Sequence, residues 1–125
     1  MAGELEKKTR EAMRKMDAKD WDSLNDMATE DLLGVDEIMR RWTKGRKAIL
    51  DGLRQAPIED IRTDLRDIEE KTWGDVGLVT CWMEQDYTFN GKRQHVSAPT
   101  TLLFRRVGSD WKVALIHSVP MPEST

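Results

Sequence analysis

The spacing of apolar positions changes character near residue 58. Before it, Leu5, Ala12, Met13 and Met16 make a thin stripe across residues 3 to 17, and opposite charges recur four apart at Glu4 and Lys8, Glu6 and Arg10, Lys7 and Glu11, and Glu11 and Lys15. Residues four apart are neighbours on a helix, so this stretch predicts a surface helix. Asp20 is a suitable N-cap for a second, short helix in which Trp21, Leu24, Met27 and Ala28 fall on one side. A short apolar run, "LLGVD", then ends at Asp36, and a basic, glycine-containing turn from Arg40 to Gly45 follows. Thr43 or Gly45 opens a third helix carrying Ala48, Ile49 and Leu53, which must end before Pro57.

After residue 58 the period shortens. "IEDIRTDLRDIEEKTW" is ambiguous on its own, because Ile61, Leu65 and Ile68 fit a helix while Arg62 to Ile68 also alternates as a half-exposed strand. Its neighbours favour the strand. Gly74-Asp75 is a turn signal, "VGLVTCWMEQDYTF" is rich in β-formers, and Asn90-Gly91 is the strongest hairpin signal in the chain. "HVSAPTTLLFRRV", the turn Gly108-Ser109-Asp110 and "WKVALIHSV" complete the series, stopped by Pro120 and Pro122. Three helices followed by a meander of long antiparallel strands predict an α+β fold with the helices on one face of a curved sheet, in a single domain spanning residues 1–125.

Composition narrows the partners. Twenty basic residues against 23 acidic ones leave a net charge of −3, with no basic run long enough to form a nucleic-acid footprint. The single cysteine, Cys81, excludes an intramolecular disulfide. Two histidines 22 positions apart leave no recognisable metal-ligand spacing, so neither metal nor cofactor is expected. No apolar stretch approaches the roughly 18 residues of a membrane span, and residues 1–20 lack a signal-peptide core. The expectation is a soluble, cytoplasmic protein.

The phrases "AKDWDSLNDMATED", "GVDEI…GRKAIL", "GDVGLVT", "YTFNGKR" and "SDWKVALIHS" resemble, in order and spacing, the NTF2-like superfamily, in particular its SnoaL-like and ketosteroid-isomerase-like branches. The resemblance covers nearly the whole chain. It implies a cone in which the sheet wraps the helices around a pocket, with a homodimer formed through the outer sheet face. Along a strand successive side chains alternate faces. Cys81, Met83, Gln85, Tyr87 and Phe89 therefore share one face, assigned inward, while Thr80, Trp82, Glu84 and Asp86 share the other. Trp82 becomes the expected anchor of the dimer, with packing under a loop of its own chain as the competing account.

The same resemblance makes Asp36 a general base, since it stands nine positions before Gly45 as that branch's catalytic aspartate does. A partly desolvated carboxylate can take a proton next to a carbonyl, provided donors stabilise the enolate. Ketosteroid isomerase uses a tyrosine and a protonated aspartate for this; the matching positions here are Ala12 and Thr101. Both donors are missing, which argues against a steroid isomerase of the usual kind. Tyr87 and His117 are the candidate substitutes. His117 belongs to the phrase "IHS" and counts in register with Trp111, Val113 and Leu115. Trp21, Met27, Cys81, Met83, Gln85, Thr101 and Leu103 are the candidate pocket lining for a small apolar molecule. The bland alternatives are that His117 is a hydrogen-bonded structural group and that Asp36 caps the turn at Arg40 and Arg41. Two functions stay open: a cofactor-free isomerase, cyclase or dehydratase acting on a carbonyl substrate, and a non-catalytic dimeric binding or accessory protein.

Overall fold

The computed structural model describes residues 3–36 and 41–121, Asp36 by its backbone alone. Three helices, α1 (Glu4–Asp17), α2 (Trp21–Met27) and α3 (Arg46–Gln55), accompany six strands, β1 (Ala28–Asp36), β2 (Arg41–Lys44), β3 (Ile58–Trp73), β4 (Val76–Phe89), β5 (Lys92–Val107) and β6 (Asp110–Ser118). The strands form one sheet in the order β2-β1-β6-β5-β4-β3. Every neighbouring pair is antiparallel except β1 and β6. The α+β, cone-like arrangement expected from the sequence is present.

Two details depart from the sequence reading. The strands do not all follow the helices, because β1 and β2 form a hairpin between α2 and α3. The basic stretch expected as a turn is, over Arg41–Lys44, a short edge strand pairing Val35 with Trp42. Helix boundaries agree closely with expectation. Asp20 caps α2 by accepting from the Ser23 backbone N–H at 3.2 Å, and Gly45, at φ 96°, precedes α3.

The ambiguous stretch is a 16-residue edge strand. Its helix-like spacing has a mechanical cause. Between Glu59 and Arg62, and again between Arg66 and Glu69, β3 spends three residues where β4 spends two. Asp60 at φ 51° and Asp67 at φ 55° supply the extra residues in left-handed conformation. Such bulges bend a strand and increase its twist. They also reset the alternation, so Ile61, Thr63, Leu65 and Ile68 all turn toward the helices, giving offsets of four and seven from Ile61.

Helix α1 lies in the concavity, tied to β3 at both ends. The Leu5 backbone N–H donates to Glu70 Oε2 at 3.0 Å, which places a carboxylate at the helix N-terminus. At the other end Asp17 accepts from Thr63 N–H at 3.0 Å and from Thr63 Oγ1 at 2.7 Å. Between these ties Leu5 and Met13 join Val79, Met83, Ala98, Leu102, Phe104 and Trp111 in the core. Gly77 allows a close approach, since a Cβ there would stand 2.5 Å from Leu5 Cδ1.

Candidate functional site

The inner face of β4 follows the expected parity. Val79, Cys81 and Met83 are buried, and Gln85, Tyr87 and Phe89 continue the row half-buried toward the strand's end. Cys81 and Met83 are core residues, at 7% and 8% exposure, and burial pushes the Cys81 thiol pKa up. Beyond them the interior turns polar. Gln85 Nε2 donates to Thr63 Oγ1 at 3.1 Å, and Thr63 Oγ1 in turn donates to Asp17. This chain of donors links α1, β3 and β4 at the end of the concavity nearest Tyr87. The sequence reading missed Asp17 and Thr63, which are 46 positions apart and carry no local signal. Trp21 and Met27 sit half-buried on α2, and Ala12, at the position of the family's tyrosine, is buried.

Asp36 closes β1 opposite Arg41. Its side chain, and with it the expected capping at Arg40, lies outside the described residues. Pro122, expected to stop the last strand, lies outside them too.

The structure corrects the placement of three candidate residues. In β6 the register steps from Val113, opposite Phe104, to Leu115, opposite Leu103. One extra residue, Ala114, therefore flips the alternation. Trp111 and Val113 face the core, whereas Leu115 and His117 face outward. Ser118 confirms the flip, since its hydroxyl meets that of buried Thr100 at 2.9 Å on the inner side. His117 instead stands 6.0 Å, ring to ring, from Trp42. The sheet separates His117 from Gln85 and Tyr87, so the expected couple facing Asp36 across an interior pocket is not built through His117. Thr101 and Leu103 are also on the outer face, opposite Thr80 and Leu78, while Thr100 and Leu102 take the inner positions expected of them.

Outward-facing side chains thus make a continuous second surface. Leu33, Val35, Trp42, Leu103 and Leu115 adjoin across β1, β2, β5 and β6. Trp42 is 52% exposed and Trp73, further along at the β3 edge, 58%. Trp82 is on this face as expected, but it is half-buried. Its indole N–H is shared between Ser97 Oγ at 2.7 Å and Glu84 Oε1 at 3.0 Å, and the Arg66 guanidinium lies 4.9 Å from its ring centre. Trp42 and Trp73, rather than Trp82, are the exposed aromatics.

Grooves on the surface of the described residues are open to solvent. One, of about 470 Å³, runs along Ala28–Asp31 beside Arg46, Arg105 and Lys112. Another, of about 270 Å³, lies between Lys71, Trp73 and Leu78 on the outer face. Neither is lined by Gln85 or Tyr87. Among the described residues no cluster of His, Cys, Asp and Glu could hold a metal ion, and no helix is long and apolar enough to cross a membrane.

Comparison with known proteins agrees with this geometry. Residues 7–122 match the model of the SnoaL-like domain. No curated relative matches the sequence. Among solved structures, the CaMKII hub of S. rosetta is similar at a TM-score of 0.82 and 17% identity, covering 97% of this chain and 99% of that one. A candidate dehydratase of the NTF2-like family from Streptomyces avermitilis is similar at 0.81 and 22% identity, covering 93% and 92%. The CaMKII hub homology domain of Chlamydomonas reinhardtii is similar at 0.78 and 14% identity, covering 95% and 97%. At these identities the likeness is one of fold.

Proposed function

The chain belongs to the SnoaL-like domain family, and from that premise we propose that it is a self-associating NTF2-like module whose outer sheet face closes on a second copy. One observation carries this reading: the apolar surface of exposed Trp42 and half-buried Leu33, Val35, Leu103 and Leu115, lying across four adjoining strands with no helix over it among the described residues. A contiguous apolar patch on a folded surface marks an interaction site. A second copy is the natural occupant, because a twofold contact needs only one self-complementary patch. The name hub, borne by two of the similar structures, is in keeping with it. The test is light scattering behind size exclusion for the wild type and Leu103→Asp. The reading expects at least two chains per particle for the wild type and one for the variant, with unchanged circular dichroism. A wild type that runs as a single chain at micromolar concentration would sink it.

A second reading keeps the interior for a small apolar carbonyl compound, with Asp36 as base and Tyr87 or Gln85 as donor. The spacing of Asp36 to Gly45, the polar chain from Asp17 to Gln85 and the likeness to a candidate dehydratase support it. Cyclic ketones, polyketide-like aromatics and steroids should then stabilise the protein in a thermal-shift screen. Asp36→Asn should bind a hit yet lose its turnover. A screen in which no compound moves the melting temperature counts against this reading.

A further inference from the structure

Beside its apolar patch the outer face holds a histidine between two carboxylates. His95 on β5 stands directly opposite Asp86 and diagonal to Glu84. Its Nδ1 is 2.8 Å from Asp86 Oδ1 and its Nε2 is 2.9 Å from Glu84 Oε2. A neutral imidazole has one N–H, so one ring nitrogen would point a lone pair at a carboxylate oxygen. The imidazolium donates to both. Glu84 connects this proton to the aromatic part of the face, because its other oxygen accepts from Trp82 and from Ser97, and Arg66 lies 3.5 Å from that same oxygen.

The neighbouring charges are mixed, with an excess of carboxylates. Strand β3 brings Arg62, Asp64, Arg66 and Asp67, β4 brings Glu84 and Asp86, and β5 adds Arg93. Val119 and Met121, which run beside Pro99 and Ser97 after β6, bring none. With Glu59, which stands opposite Thr88 in the row of Arg93, five carboxylates meet three guanidinium groups, and the proton on His95 lowers the excess negative charge from two to one. It is continuous with the apolar surface through the pairs Trp82 with Pro99, Thr80 with Thr101 and Leu78 with Leu103.

We propose that the proton on His95 gates association of two copies through the outer face, with the charged form permitting it and the neutral form opposing it. The proposal rests on the self-association reading and adds its regulation. Each copy presents the same patch, so a lost proton adds a further uncompensated negative charge on both sides of the contact. Expelling water from the patch strengthens the hold of the carboxylates on the imidazolium. Association therefore takes up protons. In the single chain the His95 pKa is already raised from 6.5, chiefly by the hydrogen bond with Asp86 and then by that with Glu84, while Glu84 itself is lowered, first by the Ser97 hydroxyl. Association is strongest below 6.5 and weakens as the pH rises through the raised value.

Sedimentation velocity at pH 6 and pH 8.5 on the wild type, His95→Gln and His117→Gln tests this. The wild-type dissociation constant should rise with pH, by up to about a hundredfold for each pK unit by which association raises His95, a factor of ten from each of the two copies. His95→Gln should lose the dependence. His117→Gln, which removes the other histidine of the same face, should keep it. Equal wild-type dissociation constants at both pH values, a dependence that survives in His95→Gln, or one that vanishes in His117→Gln would each overturn the proposal while leaving self-association standing. A single chain at both pH values would instead contradict the self-association reading, and this one with it. Should His95→Gln fail to fold, imidazole titration of the wild type by NMR decides. The His95 pKa should be higher in concentrated than in dilute solution, and a concentration-independent value overturns the gate.

Discussion

On the inner face of the sheet Val79, Ala98, Leu102 and Phe104 are at most 1% exposed, whereas Leu78 and Leu103, one position along the same strands and turned outward, remain half-exposed, and Trp42 is 52% exposed. The strands are shared, so backbone pairing cannot account for the difference. What differs is the covering. Helix α1, held by Glu70 at one end and Asp17 at the other, packs the inner face within one chain. Among the described residues no helix lies over the outer face, where arginine, carboxylate and histidine side chains alternate with leucine and tryptophan. Burial completes the inner surface during folding. On the proposed self-association, the outer surface keeps its apolar free energy for contact with a second copy.

Mutation should separate the two faces. Phe104→Ala, in the packed interior, should cost about 3–5 kcal/mol in denaturant titration. Leu103→Asp, its outward neighbour, should change single-chain stability by no more than about 1 kcal/mol. Equal losses at the two positions would break the comparison. Asp17→Ala removes a carboxylate that holds two donors of Thr63, and should cost about 1.5–3 kcal/mol. Rescue by Asp17→Asn should be partial, since an amide accepts with only one of its two ends. Gly77→Ala should cost about 1–3 kcal/mol, because the new methyl would displace Leu5, which is 1% exposed and has little room to move.

The smallest effect is a titration. Both histidines of the chain lie on the outer face, and His95 has a raised pKa. A raised value means the folded chain holds the proton more tightly than the unfolded one. The associated stability is present below 6.5 and is lost as the pH rises through the folded value. In the Leu103→Asp background, which the self-association reading expects to be a single chain, the melting temperature should fall slightly across that window. The fall should vanish when His95→Gln is added. An unchanged slope in the double variant would assign the titration to another group.

Much of this contrast was legible in the sequence. The Asn90-Gly91 hairpin fixes its own register, since counting outward from the turn pairs Asp86 with His95, Glu84 with Ser97, and Thr80 with Thr101. With the inward assignment of Cys81, that count alone places Thr101 and Leu103 outside and brings His95 against a carboxylate. The expectation that they line a pocket failed because the register was not carried far enough along β5. His117 is a different case. Its side of the sheet depends on the extra residue at Ala114, and bulges leave little trace in alternation. The bulges at Asp60 and Asp67 misled in the same way, lending a strand the spacing of a helix. Asp17 and Thr63 meet only through the docking of α1 on β3, a tertiary contact that no local pattern encodes.

Oxidative footprinting of the tryptophans across a dilution series tests the central claim most directly. Trp111, 3% exposed on the inner face, should be protected at every concentration. Trp42 should react freely in dilute protein and become protected as the concentration rises, and in Leu103→Asp it should react freely throughout. A Trp42 oxidation rate that is the same at all concentrations would contradict the account, because the outer face would then have no second copy to close it.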